Sequence, residues 1–487
     1  MLLLALWLRL LASPSSDLDI WGRLAEGKLV LATWSIPTVD PFAYTEVVFP
    51  WVYHEWLSAV VFFWLYSTLT PLSLYLLKAG IGLLVLVIFI KRSADLSLWR
   101  LVVLCLCLSL MGRGFGMRPQ VFTYGLFTLT LLILERVWTT GNTRWTYSLP
   151  ILAIPWANLH GGFLACPAII GCYATERRMW KSCLVAAPLS CIASAIHPIG
   201  IEYWNYMYRL LTVSRTPVSE WAPVYRHFPS AFAYFLLLAI AAACVARNRD
   251  QVSTPQLACL LGTSVAAFLQ MRHAPLFAIV VAMTIPRIKW EELDRLRLSV
   301  APYMMLLASI VLLAFLAIVT AAYQYFDPAS MRLRWTSELN ELDFPVGAVG
   351  YIRSRGLKGN MAVSFEVGEY CTWKLWPGMK ISFDGRYEIY ADKVHEEYLW
   401  FRAGDPRGVR YLTGADFALV DLSTGSYQLM LALRPKWVVL HEDGGYALFQ
   451  RAQSTAAGRV EKISKAEGLP SPTVRHAIRP SDGSIWA

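Results

Sequence analysis

Long stretches of apolar side chains recur along most of the first 326 residues, and they leave few folds open to the chain. They lie at about 72–90, 98–112, 119–137, 146–157, 162–175, 181–196, 231–246, 256–270, 274–287 and 301–322. A 487-residue chain that is 56% apolar, 13% aromatic and only 16% charged is too hydrophobic for an ordinary soluble domain. The expected fold class is a polytopic α-helical membrane protein. Met1 to Ser13 adds a first run of about 20 Å at 1.5 Å per residue, short of the roughly 30 Å hydrocarbon core. It lacks the basic start of a signal peptide, so it reads as a shortened first transmembrane helix. Several other runs are short as well, which implies tilt, partial insertion or burial against neighbours.

Charge sets the orientation. The net charge of +10 comes from basic residues scattered between apolar runs, not gathered in one patch, so it points away from nucleic acid. If the run from Trp56 to Leu69 lies at the interface, about eleven helices cross. The Lys/Arg-rich loops 91–100, 136–145, 176–181, 247–255 and 287–299 then share the cytoplasmic side by the positive-inside rule. Residues 17–55, and everything after Tyr323, fall on the outer face. Eight of the nine cysteines sit inside apolar runs, with Cys371 the exception, and neither a disulfide framework nor a zinc spacing is visible.

The first external loop carries Asp17, Asp19, Glu26, Asp40, Glu46 and Glu55 just after an apolar run. Transfer of a sugar to a hydroxyl needs a carboxylate to accept the hydroxyl proton, which is one reading of Asp17 and Asp19. Capping of a helix at Ile20 to Leu31, with Ser15 and Ser16, is the other. Arg113 and Arg118 bracket a Gly-rich turn, MGRGFGMRPQ, suited either to gripping a phosphate head group or to interfacial anchoring. Asn158 and His160 in WANLHGGF, His197, Glu220 and Arg272-His273 all lie at the ends of apolar runs, where polar groups near a bilayer are costly and tend to be functional. With His54 and Glu55 they make a set of carboxylates, imidazoles and guanidiniums facing one compartment. Asp17 and Asp19 are also the residues that would hold a divalent metal ion, if one is used.

From 327 to 451 the composition becomes that of a soluble α/β unit. Helices are expected at Pro345 to Arg355 and Glu369 to Trp376. Strands are expected at Met361 to Phe365, Lys380 to Phe383, Phe417 to Val420, Trp437 to Leu440 and Tyr446 to Phe449, in a small, partly parallel sheet. Gly359-Asn360 and Gly444-Gly445 read as turns, as does Asp384 in SFDGRY, while Glu366, Glu369 and Arg386 fall at expected strand ends. The domain division is then 1–326, with its first external loop 17–55; 327–451; and a tail, 452–487. The tail resembles a fragment of one blade of the β-propeller sensor domains of two-component regulators, too little to bury a core.

Taken together, DLDIWGRLAEGKLVL, DPFAYT, PWVYHEWL, RPQVFTY, WANLHGGF, HPIGIEYW, SEWAPV, RHAPLFAI and FDGRYEIY resemble a bacterial group of multi-pass membrane proteins related to the GT-C glycosyltransferases. Protein mannosyltransferases and the lipid A aminoarabinose transferase belong to the same wider class. The resemblance runs from about Asp17 to Arg451. It implies a GT-C-like membrane domain with an extracytoplasmic α/β domain, in the bacterial inner membrane. It also implies an inverting transfer from a polyprenyl-phosphate-linked sugar to an envelope glycan, lipid or protein. The first external loop supplies the catalytic acid in such enzymes, and Asp17 or Asp19 matches that position. The chain has Asp-Leu-Asp where the mannosyltransferases have an Asp-Glu pair. On this reading Asp19 is the base and Asp17 its partner, with Arg118, His160, Arg272, Arg113 and His273 toward the donor phosphate and Asn158, Glu55, His54 and Glu220 beside them. The contrasting class is a non-enzymatic transporter or assembly subunit for envelope polysaccharide, for which no internal repeat is visible.

Overall fold

The computed structural model describes residues 2–7, 17–48, 50–95, 97–112, 114–212, 219–227, 230–290, 293 and 344–452. The apolar run 301–322, Arg113 and the tail from 453 onward lie outside the described residues. The chain divides into two compact units, one formed by 1–38 and 52–343, the other by 39–51 and 344–487.

The first unit is helical. Its elements are α1 (Leu2–Leu6), α2 (Asp19–Thr33), α3 (Trp56–Thr68), α4 (Leu72–Arg92), α5 (Leu98–Gly112), α6 (Gln120–Thr140), α7 (Ser148–Leu159), α8 (Ala165–Tyr173), α9 (Trp180–Ser194), α10 (Glu202–Thr212), α11 (Ser230–Arg247), α12 (Thr254–Leu269) and α13 (Ala274–Thr284). Among the described residues α4, α6 and α11 are long and apolar enough to cross a membrane, and α3, α5, α8 and α12 are shorter apolar helices. Length and composition alone therefore pick out three candidate spans among the described residues, where about eleven crossings are expected for the whole chain. The α7 and α9 helices carry internal prolines, Pro155 and Pro188, which limit how far a straight helix extends. Apolar on every side, α13 is buried from Phe277 to Thr284 and packs on α5 and α12.

Two features of this unit position the site. The α2 helix lies against α3 at Gly27, where an added Cβ would run into the carbonyl of Ala59, so the two backbones approach as closely as small residues allow. The far end of α5 is fixed by Arg100, fully buried, whose Nε donates to the Pro286 carbonyl (2.9 Å) and Nη2 to the Ile288 carbonyl (2.8 Å).

The second unit is a five-stranded mixed sheet in the order β2-β1-β3-β5-β4, with β1 at Gly359–Ala362, β2 at Met379–Ile381, β3 at Phe417–Asp421, β4 at Trp437–Glu442 and β5 at Tyr446–Arg451. The β1 strand is parallel to β2 and β3, and β5 is antiparallel to β3 and β4. The helices are α14 (Val346–Ser354), α15 (Phe365–Leu375), α16 (Asp392–Ala403) and α17 (Gly425–Ala432). Two expectations need correction. Gly359 and Asn360 are not a turn but the first paired residues of β1, in register with Met379 and Lys380, and Gly359 accommodates a φ of 143°. Phe365 opens α15 instead of ending a strand, because the chain turns at Ser364 and continues with the good helix former Glu366 in the first turn.

The segment Val39–Trp51 also belongs to this unit. It runs along β2, with the Tyr44 N–H donating to the Ile381 carbonyl (3.0 Å) and the Ile381 N–H to the Phe42 carbonyl (3.0 Å). Arg386 anchors it, with Nη1 on Asp40 (2.5 Å), Nε and Nη2 on Asp384 (Nη2–Oδ2, 2.7 Å), and the guanidinium over the rings of Phe42 and Trp51. All three charged residues are buried. Asp384 does accept the Arg386 backbone N–H (3.0 Å), as a turn residue would. Its larger role is as one arm of this buried triad, which the Asp-Gly signal concealed.

Candidate active site

The first turn of α2 places Asp17 and Asp19 together. Leu18 is the N-cap residue and makes no side-chain capping bond, while Asp17 Oδ1 accepts the Asp19 N–H (3.2 Å). Capping is thus real but partial, since the same Oδ1 lies 2.6 Å from Arg118 Nε. Arg118 Nε also lies 3.3 Å from Asp19 Oδ2, and its Nη1 donates to Glu220 Oε2 at 2.8 Å. Arg118 comes from the turn before α6, and Glu220 from the short helical turn before α11. Two separate chain segments therefore converge on a guanidinium supplied by a third. Gly116 is part of the fit, because a Cβ there would sit 2.6 Å from Asp17 Oδ2.

The electrostatics separate the two aspartates. Burial pushes the Asp19 carboxyl up, Arg118 pulls it down and the charges of Asp17 and Glu220 push it up again, which leaves it raised to about 7. The side chain keeps 34% of its surface open. Those same carboxylates raise Arg118 well above its ordinary value, so it stays charged. A partly exposed carboxyl poised near neutrality is suited to exchanging a proton with a bound hydroxyl.

A second polar group surrounds Glu55. Arg23 Nη1 pairs with Glu26 Oε2 (2.9 Å) and lies 3.6 Å from Glu55 Oε2; His54 Nε2 and His160 Nε2 lie 3.5 and 3.6 Å from Glu55 Oε1. His160 Nδ1 accepts the Gly162 N–H (2.9 Å) and faces the Thr123 hydroxyl (2.8 Å), which itself accepts the Trp156 Nε1–H. Those bonds place the ring proton on Nε2, toward Glu55. Burial alone would raise Glu55, but His54, Arg23 and His160 outweigh it and hold the carboxylate well below the usual range. Burial lowers His160 to about 4, so the imidazole is neutral. His54 is oriented by the Tyr206 hydroxyl, 3.0 Å from Nδ1. The field of Arg23 reaches Asp19, Glu55 and His160, which links the two groups.

The structure thus brings Asp17, Asp19, Arg118 and Glu220 into one contact, and His54, Glu55 and His160 into another. Arg272 lies over the Trp221 ring, 4.2 Å from its centre, within electrostatic reach of His160. His273 Nε2 lies 3.2 Å from Gln270 Oε1, and burial beside Arg272 lowers it to about 4. Asn158 is committed to packing: it accepts from Trp56 Nε1 (2.7 Å) and donates to the Ile154 and Ile196 carbonyls. His197 stacks flat on Tyr203. Sequence reasoning missed Lys78 and Arg23 and named Glu26 only among the acids of the first external loop; all three are buried. Lys78 lies within electrostatic reach of Asp17, and a lone cation inside an apolar run was a legible signal.

Among the described residues, no group of three or more His, Cys, Asp or Glu side chains is arranged to hold a metal ion. The Asp17 and Asp19 oxygens that would ligate one face Arg118 Nε instead. As folded, this donor set fits a guanidinium and not a metal.

No family model matches the sequence, and no curated protein matches it. Solved structures do. The mycobacterial arabinofuranosyltransferase AftD aligns over 93% of this chain and 40% of its own, with a TM-score of 0.52 and 12% identity. The Archaeoglobus fulgidus oligosaccharyltransferase in its apo form aligns over 93% of this chain and 74% of its own, again with a TM-score of 0.52 and 12% identity. Both are GT-C glycosyltransferases. The chain has a GT-C-related fold and spans well under half the length of the AftD chain.

Proposed function

We propose that the protein is a membrane glycosyltransferase that moves a sugar from a polyprenyl-phosphate-linked donor to an envelope acceptor, with inversion. The observation that carries the reading is the convergence of Asp17, Asp19 and Glu220 on Arg118, on a fold shared with glycosyltransferases. In a single displacement, the acceptor oxygen forms a bond to the anomeric carbon as its proton passes to Asp19. The bond from that carbon to the phosphate oxygen breaks, and the electron pair leaves with the lipid phosphate. Asp17 and Arg118 hold Asp19 in place and set its proton affinity.

The guanidinium of Arg118 is already shared by three carboxylates, so its part is to order the acids. Donor-phosphate contact falls to Arg272 and His273, with Arg113 a further candidate from the sequence and His160 acting through its Nε2–H. Eleven crossings of the bacterial inner membrane would put these residues and the C-terminal unit outside the cell, where a lipid-linked sugar is presented to envelope glycans, lipids or proteins.

Mass spectrometry of lipids that co-purify with the protein tests the donor class. The expected result is an isoprenoid monophosphate or its glycosylated form, enriched over an unrelated membrane protein purified in parallel. A lipid complement identical to that control would remove the polyprenyl-phosphate reading.

A further inference from the structure

The C-terminal unit contains a second candidate site that the transferase reading does not use. Strand β1 lies between β2 and β3 and is parallel to both. The chain leaves β1 through α15 toward one neighbour and later returns on the other side to form β3. Connections that diverge in this way open a crevice beyond the carboxyl ends of the two strands, which is where open α/β sheets bind ligands. Here the crevice is present, with about 90 Å³ of space, several times what one water needs and enough to admit one edge of a sugar ring. Its floor is Leu419 and Val420 of β3, and its walls include Ser364, Glu366, Tyr398, Arg402, Asp421 and Thr424.

We infer that this crevice binds a neutral, hydroxyl-rich ring, a single sugar residue. The lining supplies both sides of a sugar's hydrogen bonding. Glu366 and Asp421 accept; Arg402 donates. The α15 and α17 helices begin at its rim, and neither N-cap residue, Ser364 or Thr424, closes the first turn with its side chain; their carbonyls take the Val367 and Tyr427 N–H groups at 3.2 Å each. Glu366 is preorganised by the Tyr398 hydroxyl (3.0 Å) and by Arg402. Tyr398 and Tyr446 supply ring surface for the apolar face of a pyranose. A phosphate fits this lining poorly, because two carboxylates face one guanidinium and an anion would meet net negative charge. The inference uses the C-terminal unit alone and stands or falls apart from the transferase reading.

Isothermal titration of the full-length protein in detergent tests it, with glucose, mannose, galactose and N-acetylglucosamine as probes and inorganic phosphate as the contrast. Glu366 and Arg402 are 37% and 49% exposed, so Glu366→Gln and Arg402→Gln should leave the melting temperature unchanged. The expected result is saturable binding of at least one sugar, weakened tenfold or more by each substitution, with no saturable phosphate binding. Three results overturn it: no sugar saturates the wild-type protein, the affinity is unchanged in both variants, or phosphate alone binds.

Discussion

Arg118 holds three carboxylates at once, and that decides what each can do. Asp17 Oδ1, at 2.6 Å, makes the shortest ion-pair contact, while Asp19 is held more loosely and remains partly open, with its carboxyl pushed up to about 7. An acid with a raised value is protonated below it and becomes a base above it. Turnover should therefore rise through roughly pH 7, measured as sugar transfer against pH. Arg118→Gln removes the main influence lowering Asp19, so the rising limb should move to higher pH and the neutral rate should fall. A profile that stays in place would mean that Asp19 is not the titrating base. Gly116→Ala makes a purely steric test: a Cβ 2.6 Å from Asp17 Oδ2 must displace the carboxylate. Activity should fall about tenfold or more with membrane insertion unchanged, since small misplacements at a reacting centre are costly. At this scale the sequence was half legible. Asp17, Asp19, Arg118 and Glu220 stood out as polar groups at the ends of apolar runs. Arg23 and Glu26 did not, because an Arg and a Glu three residues apart look like an ordinary solvated helix pair, whereas in the fold both are buried, with Arg23 over the Tyr53 ring.

Elements place these residues through two kinds of contact, close backbone packing and buried ion pairing. Gly27 lets α2 meet α3 at Ala59, and α3 begins directly after Glu55. Gly27→Leu should force the helices apart, separate Arg23 from Glu55 and lower both thermal stability and activity. A variant with unchanged melting temperature and turnover would show that the close approach is dispensable. In the second unit, Arg386→Met leaves Asp40 and Asp384 buried without their cation. Breaking a buried pair in this way costs about 3–5 kcal/mol, and limited proteolysis should cut the C-terminal unit of the variant under conditions that spare the wild type. Alternating hydrophobicity located all five strands to within a few residues. The buried triad was hidden because Asp-Gly is so common in turns and because Asp40 lies 346 positions from Arg386. A pairing that distant leaves no local pattern.

For the whole molecule, hydropathy announced a helical membrane part and a separate α/β unit, and the described residues contain both. It did not announce that Val39–Trp51, from the middle of the first external loop, folds with the C-terminal sheet. The hydrogen bonds that hold it there run along β2, whose partner is set by three-dimensional register and not by composition. The likeness to AftD and to the archaeal oligosaccharyltransferase extends over nearly the full chain at 12% identity, so it speaks for the fold and leaves the chemistry to the side chains. The central claim concerns those side chains: that the acids gathered on Arg118 perform sugar transfer. The most direct measurement is consumption of a polyprenyl-phosphate sugar by the purified full-length protein, compared with the Asp17→Asn/Asp19→Asn variant matched for protein level and membrane insertion. The account predicts turnover by the wild type and a loss of at least about 10²–10⁴-fold in the variant, the range expected on removing a general base. Equal turnover by the two proteins would contradict it.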